Sequence, residues 1–437
     1  MDSYKVRKIK NIPDICVEVP GSKSITNRAL LMAAMSDGRT VLEGVQFSED
    51  STYFLDALKS LGFNVEVEKE ECRVTVEGCG GKIPVNEGQI YVGSAGTAAR
   101  FLTAFAAMGD GVYRIDSSEQ MKKRPMRELF EALEDMGAGF EWLEMEYSFP
   151  VKVYSIGYNV SKGNIKSVLK ADIELNIDRS SQFLSALLMV SPVRFDKTRI
   201  HLTGKRSARS YVAMTEQMMK QFGHSGVVKI DNDTYEVEKG VYKAQSYHIE
   251  PDVSAACYFY AMAAVTGGKA KVRHMVKDSL QGDMKFIGLL EKMGCTISWG
   301  ETLEVTGPKP WLLKGIEADM SDFSDQTLTL AAIAPYASDK TVISGVGHIR
   351  GQESDRIKVI VTELGRMGIR CEEKEDGVII YPGIPKACKV NTYNDHRVAM
   401  SFAVTGLMTE GIEILNPDCC SKTFASYFDV FDKIFCS

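Results

Sequence analysis

The sequence predicts an α/β protein of two domains, each built from three repeat units packed around buried helices. Two observations carry that prediction. A helix closed by glycine recurs at near-constant spacing, and a second, almost wholly apolar helix alternates with it. Length agrees: 437 residues, 44% apolar and 25% charged, make a globular chain too long for one ordinary core.

The first element ends in Leu-x-x-x-Gly or a close variant and is followed by two strands. It occupies residues 54–62, 129–137, 214–223, 286–294 and 359–368, and its closing glycines stand 75, 86, 71 and 74 residues apart. Each of Gly62, Gly137, Gly223, Gly294 and Gly368 sits where a helix ends, because glycine reaches left-handed dihedrals without steric cost. Downstream, an apolar strand closes on Gly78, Gly157, Gly240, Gly307 or Gly383.

The second element starts near Ser22, Ser94, Ser180, Asp252, Asp325 and Asp395. Its runs, such as Ala29-Leu30-Leu31-Met32 and Phe183-Leu184-Ser185-Ala186, are apolar on nearly every face and so belong inside. Ser and Asp before them suit the capping of orphan N–H groups. Six such helices alternate with five outer helix-and-hairpin units. A sixth outer helix fits residues 423–435 but lacks a hairpin, and spare strands stand at residues 4–10 and 15–20. The head of the chain is therefore expected to complete the sixth unit. That gives one domain of residues 21–248 and a discontinuous one of 1–20 plus 249–437. A solenoid is the alternative, but buried inner helices favour closed three-fold domains.

Composition narrows the function. The net charge of −6 gives no global field for nucleic acid or membrane, so an anionic ligand needs local Lys and Arg. No apolar run approaches the ~20 residues of a membrane span, and the first ten residues do not read as a signal peptide. Ten cysteines are spaced neither as a disulfide framework nor as a zinc site and fit a reducing compartment. The expectation is a cytoplasmic protein that binds small molecules.

Helix starts carry partial positive charge and free N–H donors. Lys23, Arg28, Arg100 and Arg397 lie in or near such starts, where a cation opposes the dipole by roughly 0.3–1 kcal/mol. A bound anion resolves the conflict. If the helix starts of both domains face one cleft, its ligand is multiply anionic. Each short motif also has an ordinary explanation. Gly21-Ser22-Lys23-Ser24 lacks the spacing of a phosphate loop, Gly93 to Thr97 suits tight packing, and Arg124-Pro125 suits a solvated helix start. It is their order, in phase with the repeat, that discriminates.

In that order, Pro20-Gly21-Ser22-Lys23-Ser24-Ile25-Thr26-Asn27-Arg28 resembles the opening of the 5-enolpyruvylshikimate-3-phosphate synthases. Ser94 to Arg100, Arg124-Pro125-Met126, Ser180-Ser181-Gln182, Glu353-Ser354-Asp355-Arg356, Asn394-Asp395-His396-Arg397 and Lys422-Thr423-Phe424 extend the resemblance along the chain. It implies two domains of three βαβαββ-type units around buried parallel helices, an inside-out α/β barrel. It implies transfer of enolpyruvyl from phosphoenolpyruvate to shikimate 3-phosphate without metal or organic cofactor, and sensitivity to glyphosate.

Carried over by position, Lys23, Gly96, Arg124, Gln182, Arg356, Arg397 and Lys422 would hold phosphoenolpyruvate. Lys23, Ser24, Arg28, Ser180, Ser181, Gln182, Tyr211, Asp325 and Gln352 would hold shikimate 3-phosphate, chiefly from the 21–248 domain. Lys23, Asp325, Glu353 and His396 would be catalytic, with Asp325 and Glu353 as candidates for the proton transfers.

The sequence departs from the family where Ala208, His348 and Gln352 replace a serine, an asparagine and a lysine that help hold the 3-phosphate. Losing a charged hydrogen bond costs roughly 1.5–3 kcal/mol, and Lys205, Arg206, Ser207, Arg209 and Arg350 are candidates to compensate. Phe101 replaces a proline and is expected to reshape the phosphoenolpyruvate pocket. Three rivals remain. The related transferase acting on UDP-N-acetylglucosamine carries a loop cysteine, which residues 116–124 lack. The others are a transferase for an acceptor without the 3-phosphate and a non-catalytic repeat-fold binding protein.

Overall fold

The computed structural model describes residues 2–166, 170–204 and 209–435. Lys205, Arg206, Ser207 and Ala208 lie outside the described residues. Among the described residues six sheets, five of four strands and one of three, share one plan. In one unit the strand Glu87–Tyr91 leads into an inner helix and returns as Val112–Asp116, parallel to the first strand with Ile90 beside Ile115. The outer helix Arg127–Asp135 follows, and then the antiparallel pair Gly139–Trp142 and Val151–Tyr154. Alternation decides which face is covered: in Val112–Asp116, Tyr113 and Ile115 are buried while Arg114 is exposed.

The inner helices are α1 (Lys23–Met35), α2 (Gly96–Met108), α3 (Gln182–Val190), α4 (Val253–Thr266), α5 (Thr327–Ile333) and α6 (His396–Met408). All thirteen residues of α2 and all seven of α5 are buried, and α4 and α6 are nearly as enclosed. Each fully buried Leu, Phe or Met on them contributes about 1.5–3 kcal/mol relative to exposure. The glycines that close the outer helices, from Gly62 to Gly368, have φ between +81° and +104°, as their end positions require. Gly157 departs from the expectation: it lies in a short helix, Ile156–Ser161, rather than at the end of its strand.

The described residues form two compact units, one of Met1–Ser22 with Glu250–Ser437 and one of Lys23–Ile249. The head of the chain behaves differently from the simple expectation, because its two strands enter different sheets. Ser3–Lys5 pairs with Ile412–Leu415 and so completes the last unit, whereas Asp14–Val17 pairs with Lys269–Val272. The strand that precedes α4, Ser246–His248, instead joins Arg39–Glu43 after α1. Strand partners are thus exchanged at the two chain crossings. Among the described residues no helix is long and apolar enough to cross a membrane.

Candidate active site

In the Lys23–Ile249 unit, polar side chains gather at the starts of the three inner helices. Asn27 of α1 donates to Thr97 of α2 at 2.6 Å. Arg28 is 1% exposed and spends its whole guanidinium on neutral acceptors. These are Thr215 Oγ1 at 2.8 Å, the Ser24 carbonyl at 3.0 Å, the Tyr211 carbonyl at 3.2 Å and Ser185 Oγ at 3.3 Å. No carboxylate among the described residues pairs with Arg28, and burial pulls its pKa down to about 10. A buried cation that lacks a counter-ion favours the approach of an anion.

Arg100, one of the helix-start cations, is the tie in this cluster. It donates to the Gly96 carbonyl at 3.1 Å, to Gln182 Oε1 at 3.2 Å and to the Pro125 carbonyl at 3.0 Å. It thereby joins the segments that carry Gly96, Gln182 and Arg124. Arg124 donates to the Ser94 carbonyl at 3.3 Å. A Cβ on Gly96 would stand 2.6 Å from Arg100 Nη1 and 2.8 Å from both terminal nitrogens of Arg124, so only glycine fits without displacing them. Lys23 Nζ lies 3.3 Å from Asp50, a buried carboxylate that sequence reasoning missed. Ser180 Oγ accepts from the Gln182 backbone at 3.3 Å, and Ser181 is buried beside it.

In the other unit, three cations and three carboxylates interlock at the starts of α5 and α6. Arg356, 2% exposed, reaches Asp395 at 2.9 Å, Asp325 at 3.1 Å and Glu353 at 2.5 Å. Arg397 shares Asp325 at 2.8 Å, and Lys422 shares Glu353 at 2.9 Å. Burial by itself would lower the Arg356 pKa, but Asp395, Glu353 and Asp325 together raise it. Asp395 also caps α6 by accepting from the Arg397 backbone at 3.0 Å, as Asp252 caps α4. Asp325 does not cap: it lies in a short turn before α5, and its carboxylate faces the two arginines.

Two further residues of this cluster, Asp283 and Ser254, have no sequence signal. Asp283 is buried, accepts from Ser254 and Gln326, and has its pKa pushed up to about 7 by burial and by Asp325. Ser254 in turn lies 3.4 Å from Arg397. Tyr393 and Asn394, with φ of +54° and +56°, put two left-handed residues just before Asp395. Such a conformation costs of order 1–3 kcal/mol for a non-glycine residue, less for Asn.

His396 is 2% exposed, its Nδ1 3.9 Å from Asp395 Oδ1. Glu353, Asp395 and His396 bring donor atoms within 4.8 Å of one another. Both carboxylates, however, already hold Arg356, so a metal ion there would have to displace a buried guanidinium.

The expected phosphoenolpyruvate set divides between the units, with Lys23, Gly96, Arg124 and Gln182 in one and Arg356, Arg397 and Lys422 in the other. Tyr211, Ser24 and Arg28 lie in the first unit with Ser180 and Ser181; Asp325 and Gln352 lie in the second. Phe101 has a contact that its place in the motif did not announce. It stacks on Arg28, with its ring centre 5.2 Å from the guanidinium carbon, and so touches the residue expected to bind the acceptor. Of the candidate compensators, Arg350 is spent on Asp355 at 3.2 Å, Glu373 at 2.8 Å and two carbonyls. His348 is held by Ser324 at 2.8 Å, and burial lowers its pKa. Arg209 lines a cavity of about 210 Å³ with Lys229, Asn232 and Tyr235 above Ile177, Leu184, Leu202 and Val212.

Comparison with known proteins extends this picture. A profile of the family described as EPSP synthase (3-phosphoshikimate 1-carboxyvinyltransferase) matches residues 6–431. A 3-phosphoshikimate 1-carboxyvinyltransferase of Nostoc punctiforme is 44% identical over 433 residues, covering 99% of each chain. One of Trichormus variabilis is 43% identical over 436 residues, covering 99% of each. The solved EPSP synthase of Acinetobacter baumannii shares the fold at a TM-score of 0.80 and 24% identity, covering 100% of this chain and 98% of that one.

Proposed function

The chain belongs to the EPSP synthase family and is an enolpyruvyl transferase of the shikimate pathway; from that premise we propose how its residues divide the reaction. Phosphoenolpyruvate is held by Lys23, Gly96, Arg124, Gln182, Arg356, Arg397 and Lys422. Shikimate 3-phosphate is held by Lys23, Ser24, Arg28, Ser180, Ser181, Gln182, Tyr211, Asp325 and Gln352. The 21–248 domain thus serves mainly the acceptor. The domain of 1–20 plus 249–437 serves much of the phosphoenolpyruvate and proton-transfer chemistry.

One observation supports this reading most. Each carboxylate suited to moving a proton is shared by two cations suited to holding an anion: Asp325 by Arg356 and Arg397, Glu353 by Arg356 and Lys422. An incoming dianion competes for those cations and releases carboxylate oxygens as it binds. The acceptor 5-hydroxyl then adds to C2 of phosphoenolpyruvate, its proton passing to a base such as Asp325, while C3 gains a proton and becomes methyl. In the second step the methyl loses a proton, the C2–O bond to phosphate breaks, and the enol ether forms. Arg and Lys stabilise the departing phosphate. Lys23, Glu353 and His396 complete the proton-moving set.

We assign the enzyme to the cytoplasm as a monomer that needs no metal or organic cofactor and binds neither membrane nor nucleic acid. The nine described cysteines standing as thiols fit a reducing compartment. The test is phosphate release from phosphoenolpyruvate with shikimate 3-phosphate, shikimate or UDP-N-acetylglucosamine as acceptor. Release with shikimate 3-phosphate alone supports the reading. The engagement of His348 and Arg350 within their own unit favours one second reading, an acceptor lacking the 3-phosphate. Release with plain shikimate would establish it.

A further inference from the structure

The helix Arg356–Arg366 grips the segment before α6 at two points seven residues apart on one face. At its start Arg356 holds Asp395, with Nε to Oδ2 at 2.9 Å. Two turns later Glu363, fully buried, accepts from the Tyr393 hydroxyl at 2.7 Å, from the Asn391 backbone at 3.3 Å and from Arg366 at 2.6 Å. Between the two grips lie the left-handed residues Tyr393 and Asn394. Asn394 is also tied to Asn416, which precedes the turn that carries Lys422. Tyr393 is 42% exposed, so its hydroxyl bond to Glu363 contributes more to anchoring it than apolar packing does.

We propose that Glu363 is a positioning residue of this enzyme: through Tyr393 and Asn391 it holds the left-handed turn that delivers Asp395 and Arg397 to the ion-pair cluster. The argument is one of over-determination. A left-handed pair of non-glycine residues persists only where its surroundings impose it. Here the imposing group is a buried carboxylate with no direct contact to any cation assigned to substrate. Asp395 then does three things at once: it caps α6, orients Arg356 and receives Ser354 at 3.0 Å. Rotation of the turn misplaces Arg356 and Arg397 together, and a shift of about 1 Å at such groups can cost roughly a hundredfold in rate. The assignment rests on the reading of Arg356 and Arg397 as phosphoenolpyruvate ligands.

The experiment compares Glu363→Gln, Tyr393→Phe and Glu363→Gln combined with Asn394→Gly in the full chain. Two readouts are taken: amide hydrogen exchange at residues 395–398 without substrate, and steady-state kinetics. The expected result is faster exchange in both single variants, with KM for phosphoenolpyruvate raised at least roughly fivefold and KM for shikimate 3-phosphate little changed. Asn394→Gly relieves the strain and should restore part of the loss. If Glu363→Gln fails to fold, Tyr393→Phe, which deletes one hydroxyl, carries the test. Wild-type exchange in the single variants would overturn the proposal, and so would faster exchange with an unchanged KM for phosphoenolpyruvate. A wild-type enzyme that releases no phosphate would overturn the functional reading instead, with exchange still judging whether Glu363 holds the turn.

Discussion

Arg356 Nε and Asp395 Oδ2 stand 2.9 Å apart with both side chains sealed from solvent, at 2% and 0% exposure. The pair joins the start of one outer helix to the start of α6, and the guanidinium's remaining nitrogens go to Asp325 and Glu353. Removing the charge from one partner of a buried pair costs about 3–5 kcal/mol, because the other stays buried and uncompensated. Asp395→Asn keeps a good helix cap and removes only the charge. Its chemical-denaturation midpoint should fall accordingly and kcat/KM for phosphoenolpyruvate should drop. A midpoint equal to wild type would mean that the neighbouring carboxylates suffice for Arg356.

Gly96→Ala drives a methyl against Arg100 and both terminal nitrogens of Arg124. KM for phosphoenolpyruvate should rise by roughly tenfold or more, while KM for shikimate 3-phosphate changes little. Glyphosate should inhibit the wild type competitively with phosphoenolpyruvate and inhibit the variant more weakly. Steady-state kinetics over a glyphosate series checks both statements, and millimolar inhibitor without effect on the wild type would refute the first.

Asp283 moves from an ordinary 3.8 to about 7 in the folded protein. The folded state therefore keeps a proton that the unfolded chain releases. Its favourable contribution is complete below about pH 4 and is lost as pH rises through 7. Asp283→Asn carries no such titration, so the difference in Tm between variant and wild type should shift in the variant's favour from pH 4 to pH 8. Parallel Tm curves across that range would contradict the assignment.

Arg209 tests whether the 3-phosphate contacts are rebuilt. If its guanidinium replaces what Ala208 and Gln352 no longer supply, Arg209→Ala should weaken shikimate 3-phosphate binding by about tenfold or more. Calorimetric titration reads this directly. Unchanged affinity would leave Arg209 to the cavity it shares with Lys229.

Local chemistry made much of this legible. Gly62 and its four counterparts announce helix ends because only glycine takes those dihedrals cheaply, and Asp252 and Asp395 announce starts because their carboxylates reach backbone N–H groups. The roles of Asp50, Asp283 and Glu363 were not legible. Each is an ordinary acidic residue on an outer helix or turn, and its partner comes from a distant segment. Asp325 looked like a cap because its sequence context matches that of Asp395, yet two arginines claim it in three dimensions. Strand exchange was hidden for the same reason: the alternating residues of Asp14–Val17 say which face is buried but not which sheet receives them.

That exchange also orders the assembly of the molecule in time. The unit of Lys23–Ile249 is one uninterrupted stretch, so every strand it needs has been synthesised once residue 248 is made. The other unit pairs Ser3–Lys5 with Ile412–Leu415 and must hold that one strand unpaired until residue 415 is made, although Asp14–Val17 finds Lys269–Val272 much earlier. The cluster around Arg356 likewise waits for Lys422, the last of its residues to be made. A chain released early would carry a complete first unit, with Arg28 already buried in place, and exposed strand edges at its head.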